Sequence, residues 1–176
     1  MTDDTQKTVL DLISAYADTW RLLLEYDEDR LEMPPGAKVR TDALNPDYAK
    51  DAIDVFRREL VARGEASRLF GNPRGDALEA ILGNIEQTMF GEPLYRNSEE
   101  KAAHLLYFVV KDHPFTDGNK RIGAFLFLLY LAQKEMALPL DPRALTALTL
   151  LIAETPPSRK RLMIRLIVNL MAERNE

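Results

Sequence analysis

Residues 122–132 restrict the fold more than any other stretch. They read IGAFLFLLYLA, so a helix formed from them is apolar on every side. Such a helix must be covered all round by other elements, as in the core of a protein. The run is also shorter than the about 20 residues that a membrane-spanning helix requires. We therefore expect this helix at the centre of a soluble domain.

Residues 113–121, HPFTDGNKR, precede this helix and are mostly polar. The first N–H groups of a helix have no acceptor within the helix, and the helix dipole adds positive potential at that end. Phosphate groups bind well at such a site. The sequence therefore predicts a phosphate-binding catalytic loop, with the rest of the chain as its scaffold.

Two residues of this loop offer reactive groups. An imidazole is partly unprotonated at cellular pH, so His113 is a candidate acceptor for the proton of a substrate hydroxyl. A single carboxylate together with substrate phosphates is the usual way in which proteins hold Mg²⁺. Asp117 is therefore the candidate metal ligand.

The remaining loop residues suit the binding of phosphate. Gly118 and Asn119 offer backbone N–H groups, and glycine permits close approach. Lys120 and Arg121 add charge, the lysine as a point charge and the arginine as a planar fork. We assign these four residues to phosphate binding, and we expect Phe115 to anchor the turn.

Each of these features also has an ordinary structural explanation. A histidine before a proline often ends a helix, Asp-Gly-Asn is a common surface turn, and Lys-Arg at a helix start is usually solvated. We favour the catalytic interpretation because all of them occur together before a wholly apolar helix. His104, on a predicted helix nine residues earlier, is interpreted as structural. The histidines and carboxylates show no zinc spacing.

Composition limits the class of protein. The chain has 176 residues, a mass of 20.0 kDa and 46% hydrophobic residues, which suits one globular domain. Its net charge of −5 argues against a generally basic surface for nucleic acids. Cysteine is absent, which excludes disulfides and a thiol nucleophile. The acidic N-terminus leads into no continuous apolar run, so we expect no secretory signal, no membrane association and a cytoplasmic location.

Apolar residues recur at helical spacing along most of the chain. We expect an all-α fold of six to eight helices, and the predicted helices cover residues 4–28, 45–64, 76–90, 98–112, 122–137, 141–154 and 159–173. Asn45-Pro46 and Asp141-Pro142 begin two of them, because asparagine and aspartate cap helices and proline fits the first turn.

Further interpretations concern the interior and the connections. We place Trp20 in the core and Gly83 at a tight helix crossing. Pro139 is expected to stop the apolar helix. Residues 31–45 are predicted as a loop and residues 69–74 as a turn.

The loop resembles the signature of the Fic/Doc family, a histidine-led HPFxxGN(G/K)R motif. The closest similarity is to the RhuM-type virulence protein group, and it extends from about Leu22 to the C-terminus. Similar flanking segments are residues 69–71, 81–85, 99–108 and 144–154. We therefore expect one Fic/Doc-type helical bundle over residues 1–176, with residues 1–21 as an N-terminal extension and residues 22–176 as the core.

The resemblance implies an ATP-dependent transferase that modifies a serine, threonine or tyrosine hydroxyl of a protein. His113 would deprotonate that hydroxyl, and Asp117 would hold Mg²⁺. Gly118, Asn119 and Arg121 would hold the phosphates of ATP.

Residues 91–97 break the helical pattern and predict a small hairpin, an extended flap or a plain connector. This position resembles the Fic/Doc flap, which lies over the active site and pairs with the backbone of the target. The resemblance implies flap roles for Gly91, Glu92, Leu94 and Tyr95.

Two positions distinguish the branches of the family. Enzymes that transfer AMP typically have glycine where this chain has Lys120, and a second arginine where it has Ala124. The Doc branch has lysine and lacks the second arginine, and it transfers the terminal phosphoryl group. Doc-like phosphoryl transfer is therefore our first interpretation. Adenylyl transfer is the alternative, and a non-enzymatic nucleotide-binding module in toxin or virulence regulation is the second alternative.

Regulation and partners follow from the same resemblance. Many Fic proteins are silenced by a helix with an (S/T)xxxE(G/N) motif, but no glutamate of this chain precedes glycine or asparagine. A separate antitoxin is therefore a hypothesis. The implied target is a protein, with the translation machinery as one candidate. The sequence does not define the target residue or the oligomeric state.

Overall fold

The computed structural model describes residues 3–35, 43–138 and 140–172. The α-helices within these ranges are α1 (Asp3–Ala15), α2 (Ala17–Asp27), α3 (Pro46–Ala62), α4 (Ala77–Ile85), α5 (Ser98–Asp112), α6 (Asn119–Gln133), α7 (Pro142–Glu154) and α8 (Lys160–Met171). A short 3-10 helix, Pro157–Arg159, precedes α8, and β1 (Thr88–Met89) pairs antiparallel with β2 (Glu92–Pro93). The predicted all-α fold of six to eight helices with a short hairpin is confirmed.

The chain divides into two compact units, Met1–Met33 and Pro34–Glu176. The first unit contains α1 and α2. No residue of α2 is buried, and Trp20 is 50% exposed. The prediction of Trp20 in the core is therefore wrong, because helical spacing creates an apolar stripe but does not supply the surface that covers it. The expected boundary between residues 21 and 22 stays a prediction.

The helix starts predicted from local sequence are confirmed. The Asn45 side chain accepts hydrogen bonds of 2.8 and 3.1 Å from backbone N–H groups in the first turn of α3. Asp141 does the same at the start of α7, at 2.7 and 2.9 Å. Both caps are followed by proline at the first helical position, where its missing N–H does no harm.

The second unit is built around the packing of α5 against α6. A Cβ atom at Gly123 would lie 3.0 Å from the Val110 side chain, so the glycine lets these two helices approach closely. Six of the eleven residues in its apolar run, residues 122–132, are buried, whereas Leu128, at 42%, and Ala132 are exposed. The expectation that this helix is covered on every side is therefore wrong at Leu128 and Ala132.

Helix α4 ends at Ile85 rather than at residue 90, because the chain turns into the hairpin. Gly83 is exposed and has open space where a Cβ atom would stand, so the predicted tight crossing there is wrong. The predictions for residues 36–42, Pro139 and Glu173 lie outside the described residues. Within the described ranges, no helix combines the length and the apolarity that crossing a membrane demands.

Candidate active site

The predicted catalytic loop connects α5 to α6. Its first residue, His113, has a left-handed backbone conformation with φ 51° and ends α5. Its side chain is exposed, whereas Pro114 and Phe115 are buried. Phe115 is only 2% exposed, which suits the anchoring role expected from the sequence. The imidazole of His113 is therefore accessible, and the buried side chains of Pro114 and Phe115 hold the backbone that carries it.

Residues 70–74, which we call the brace segment, hold the loop backbone. The N–H groups of Gly71 and Arg74 donate to the carbonyl oxygens of Asp117 and Pro114, at 3.0 and 2.8 Å. In the other direction, the N–H of Thr116 donates to a carbonyl oxygen of the brace segment at 2.8 Å. The sequence predicts only a turn here, because pairing between residues 40 or more positions apart leaves no local signal.

The Asn119 side chain forms two hydrogen bonds across the loop. Its Oδ1 atom accepts from the Phe115 N–H, and its Nδ2 atom donates to the Phe115 carbonyl oxygen, both at 2.9 Å. An amide that exchanges two hydrogen bonds with one backbone unit fixes both its own position and that unit. The backbone N–H of Asn119 and the second hydrogen of Nδ2 are then left to contact an anion.

Gly118 is required by the packing of the loop. Its φ is 87°, a left-handed conformation that glycine adopts without steric penalty. A Cβ atom at this position would lie 2.3 Å from the ring of Phe70, which is itself fully buried. The close approach that we expected for a ligand is therefore made by an aromatic ring of the protein.

Arg121 is held over the same ring. Its guanidinium carbon lies 4.6 Å from the centre of the Phe70 ring, and Nη1 donates to the Glu65 carbonyl oxygen at 2.7 Å. The side chain remains exposed, so its other N–H groups face solvent. Arg121 thus combines a fixed position with an accessible charge.

The N-terminus of α6 has the features of an anion site. Within the described part of the chain, no side chain caps this end of the helix, so its first N–H groups lack side-chain acceptors. Lys120 is exposed in this first turn beside Arg121. Backbone N–H groups, the helix dipole and two cations therefore converge at one place.

Asp117 fits the role of a metal ligand in a shared site. Among the described residues, it forms no ion pair with a lysine or arginine. No group of three or more histidine, cysteine, aspartate or glutamate side chains in these residues can hold a metal alone. A metal at Asp117 would thus need further oxygen ligands, such as phosphate and water, which is how Mg²⁺ is usually bound.

The hairpin begins three residues earlier than predicted. Residues Phe90 and Gly91 form its turn with φ values of 52° and 84°, and the Phe90 side chain is fully exposed. The strand residues on both sides, including Glu92, are exposed as well. After β2, the N–H of Leu94 donates to the Gln87 carbonyl oxygen at 2.7 Å, which closes the base of the hairpin.

The segment after the hairpin is fixed by a ring stack. Tyr95 lies on the ring of His104, with 3.7 Å between the ring centres and 19° between the planes. Nδ1 of His104 lies 2.8 Å from the Glu100 carbonyl oxygen. Burial lowers the pKa of His104 to about 4, so its ring is neutral at cellular pH. These contacts agree with the structural role predicted for His104.

A cavity of about 390 Å³ lies between α6 and α7, next to the predicted phosphate site. Lys120 and Arg121 form its charged part, and Ala124 and Leu128 of α6 belong to its mostly apolar lining. The exposure of Leu128 is explained by this opening.

The helical fold and the helix end without a side-chain cap define an all-α protein with a candidate anion-binding loop. Residues 45–131 match the family model described as Fic/DOC family. The matched span includes α3, the brace segment, the hairpin, the loop and most of α6. This family generally comprises nucleotide-dependent transferases that modify proteins. No curated protein and no solved structure matches the chain.

Proposed function

We propose that this protein is a Fic/Doc-type transferase that uses ATP to modify a hydroxyl group of a protein. The observation that carries the proposal is the loop at the start of α6. It presents an exposed His113 beside a helix end whose N–H groups have no side-chain cap. The Fic/DOC match over residues 45–131 supports the same conclusion. The finer similarity to the RhuM-type group stays a prediction.

His113 is the proposed general base. It takes the proton from a serine, threonine or tyrosine hydroxyl of the target while the hydroxyl oxygen forms a bond to phosphorus. The bond from phosphorus to the leaving phosphate oxygen breaks in the same step. The left-handed backbone at His113 and the buried Pro114 and Phe115 fix where the imidazole is presented. A backbone held in this way is a preorganised support for the proposed base.

Groups at the start of α6 are proposed to bind the phosphates and to offset the negative charge of the nucleotide. The backbone N–H groups of Gly118 and Asn119 and the side chains of Lys120 and Arg121 are assigned to the phosphates. Asp117 would hold Mg²⁺, which supplies charge neutralisation at the phosphate oxygens when bound. The role of Arg121 is supported by its hydrogen bond to the Glu65 carbonyl oxygen, which leaves the guanidinium fixed and accessible.

Transfer of the terminal phosphoryl group is favoured over transfer of AMP. Lys120 is exposed in the first turn of α6, where the phosphates are proposed to bind. Ala124, one turn further along α6, lines the adjacent cavity and offers no second guanidinium. A lysine in place of glycine and an alanine in place of arginine both change how the phosphates lie. Adenylyl transfer is the alternative.

The hairpin is proposed to bind the target protein. Its strands consist of two residues each, they are exposed, and their outer edges are available for backbone pairing. Gly91, Glu92, Leu94 and Tyr95 belong to this flap. The translation machinery as a source of the target, and a separate antitoxin, remain proposals that rest on the family resemblance alone.

The proposed function is tested by incubating the protein with a cell lysate, Mg²⁺ and ATP labelled at either the α or the γ phosphate. We expect label from γ-labelled ATP only, with release of ADP, and no label with His113→Ala. Thr116→Ala is the matched control, because Thr116 is exposed in the same loop and its known contact is made by the backbone.

Label from α-labelled ATP would contradict the assignment of Lys120 and establish adenylyl transfer. Binding of ATP without label from either position, in lysates from several sources, would favour the non-enzymatic module. Full activity of His113→Ala would overturn the mechanism itself.

A further inference from the structure

The cavity between α6 and α7 has the size and composition of a small-molecule site. Its volume of about 390 Å³ lies within the roughly 300–1,000 Å³ that is typical of ligand pockets. Such pockets are lined mainly by apolar side chains, with a few polar groups that orient the ligand. Five of the lining residues are leucines: Leu128, Leu138, Leu140, Leu145 and Leu150. The cavity therefore suits a compact ligand with an apolar body.

The charged part of the lining connects the cavity to the proposed phosphate site. Among the described residues, Lys120 and Arg121 are the charged ones that line it. Both stand in the first turn of α6, where they are assigned to phosphates. None of the described residues 113–119 belongs to the lining, so the cavity begins beyond the loop. A ligand with phosphates at the start of α6 can therefore extend directly into the cavity.

Two threonines of α7 add hydrogen-bonding groups to the lining. Their hydroxyl groups donate to backbone carbonyl oxygens one turn earlier, from Thr146 to Pro142 at 2.9 Å and from Thr149 to Leu145 at 2.8 Å. A hydroxyl oxygen that donates its proton still has lone pairs, so both threonines can accept a hydrogen bond from a ligand. The lining thus offers acceptors for an N–H group within mostly apolar walls.

An adenosine joined to phosphates combines these properties. Adenine is flat and carries an exocyclic amino group as a donor, and proteins hold such bases between apolar side chains. We propose that the cavity binds the adenosine part of ATP, with Ala124 leaving room that a longer side chain would fill. The inference rests on the proposed function, because that function takes ATP as the donor.

This placement also determines which phosphate reaches His113. In ATP the nucleoside is joined to the α phosphate, and the γ phosphate lies at the opposite end of the chain. Because the cavity begins beyond the loop, an adenosine bound there leaves the γ phosphate as the one directed toward His113. Transfer of AMP would instead require the α phosphate at that position. The inference thus supports transfer of the terminal phosphoryl group for a reason separate from the charge of Lys120.

Binding of ATP and of inorganic tripolyphosphate, each with Mg²⁺ and measured by calorimetry, separates the nucleoside from the phosphates. The wild type is expected to bind ATP at least about 10-fold more tightly than tripolyphosphate, because only ATP fills the cavity. Ala124→Trp should weaken the binding of ATP at least about 10-fold and leave that of tripolyphosphate unchanged. Ala132→Trp is the matched control, since Ala132 is exposed on the same helix outside the cavity lining. It should bind both ligands like the wild type.

A second variant narrows the cavity from the α7 side. Thr146 is exposed and belongs to the lining, so Thr146→Trp adds bulk without replacing a buried side chain. It should weaken the binding of ATP and not that of tripolyphosphate, as Ala124→Trp does. Circular dichroism of all three variants checks that the helical content is kept.

The outcomes separate this inference from the proposed function. Tripolyphosphate binding as tight as that of ATP in the wild type would overturn the inference and leave the phosphate site in place. Unchanged binding of ATP in both Ala124→Trp and Thr146→Trp would also overturn it, because the adenosine would then lie elsewhere. Equal weakening of both ligands in the two variants would contradict it by showing that the phosphate site was disturbed. Failure of the wild type to bind either ligand would overturn the use of ATP, and with it the proposed function as well.

Discussion

The catalytic loop and the hairpin are both short connections, but contacts with the rest of the chain hold the loop much more firmly than the hairpin. The backbone of the loop is paired with the brace segment, and its side chains at Pro114 and Phe115 are buried. The hairpin is paired only with itself, and its strands and its tip are exposed. Reactive groups benefit from a preorganised support, whereas a surface that binds a partner needs free backbone groups. The difference between the two regions therefore agrees with their proposed roles.

The largest expected effect distinguishes two glycines, one from each region. Gly118 and Gly91 both have a positive φ, so alanine is strained by about 1–2 kcal/mol at either position. At Gly118 the added Cβ also overlaps the buried Phe70 ring, whereas at Gly91 it meets open space. We expect Gly118→Ala to lower the free energy of unfolding by about 4 kcal/mol and to abolish activity. Gly91→Ala should lower it by about 1–2 kcal/mol.

Chemical unfolding of both variants measures this contrast. A similar loss of stability in the two variants would show that backbone strain alone causes the loss, and that the overlap with Phe70 adds nothing to it. Gly118→Ala should lower the free energy of unfolding less in the Phe70→Ala background than in the wild type, because the overlap with the ring is then absent.

His104 tests how the base of the hairpin is held. Burial lowers its pKa from 6.5 to about 4, so the unfolded chain binds a proton more readily than the folded chain. Stability therefore falls as the pH decreases from about 6.5 to about 4, with a total contribution of about 3 kcal/mol from this group. His104→Asn keeps a donor for the Glu100 carbonyl oxygen but does not titrate.

The measurement is the free energy of unfolding of both proteins at several pH values between 7 and 4. The wild type should be the more stable protein at pH 7, and its advantage should shrink steadily toward pH 4. A difference that stays constant with pH would mean that the His104 ring is already accessible to protons in the folded state.

Sequence reasoning succeeds where a residue acts on its immediate neighbours in the chain. The starts of α3 and α7 were predicted because Asn45 and Asp141 act on N–H groups within their own first turn. The order of residues in the loop predicts its candidate groups, and the roles of those groups stay predictions. Helix capping and the nine-residue motif each involve residues that are close together in the sequence, so both can be recognised from the sequence alone.

The errors concern contacts between distant parts of the chain. The brace segment was predicted only as a turn, because its hydrogen bonds are made to the loop and not to its neighbours. Gly83 was assigned a tight crossing that Gly123 makes instead, because the sequence does not show which helix lies opposite a glycine. Trp20 was placed in the core because an apolar stripe looks the same whether it is covered or exposed.

Asn119 provides a smaller test of the loop. Asn119→Ala removes the acceptor for the N–H and the donor for the carbonyl oxygen of the buried Phe115. Leaving such groups unpaired should lower the free energy of unfolding by about 2 kcal/mol, and activity should fall with the disorder of the loop. Asn119→Asp keeps the acceptor, so it should lose less stability than Asn119→Ala. Equal losses for the two variants would indicate that the hydrogen bond to the Phe115 N–H contributes nothing.

The smallest expected effect on stability is at the tip of the hairpin. Phe90 is fully exposed and has φ 52°, a conformation that asparagine adopts more readily than phenylalanine. Phe90→Asn also creates the Asn-Gly pair that tight hairpin turns prefer, so stability should rise by about 0.5 kcal/mol. Labelling of the target protein should nevertheless fall, while binding of ATP, measured by calorimetry, stays unchanged. A phenylalanine that is unfavourable for the turn but needed for the target would show that the hairpin is selected for binding. Unchanged labelling of the target would show that the Phe90 side chain at the tip of the hairpin does not contact it.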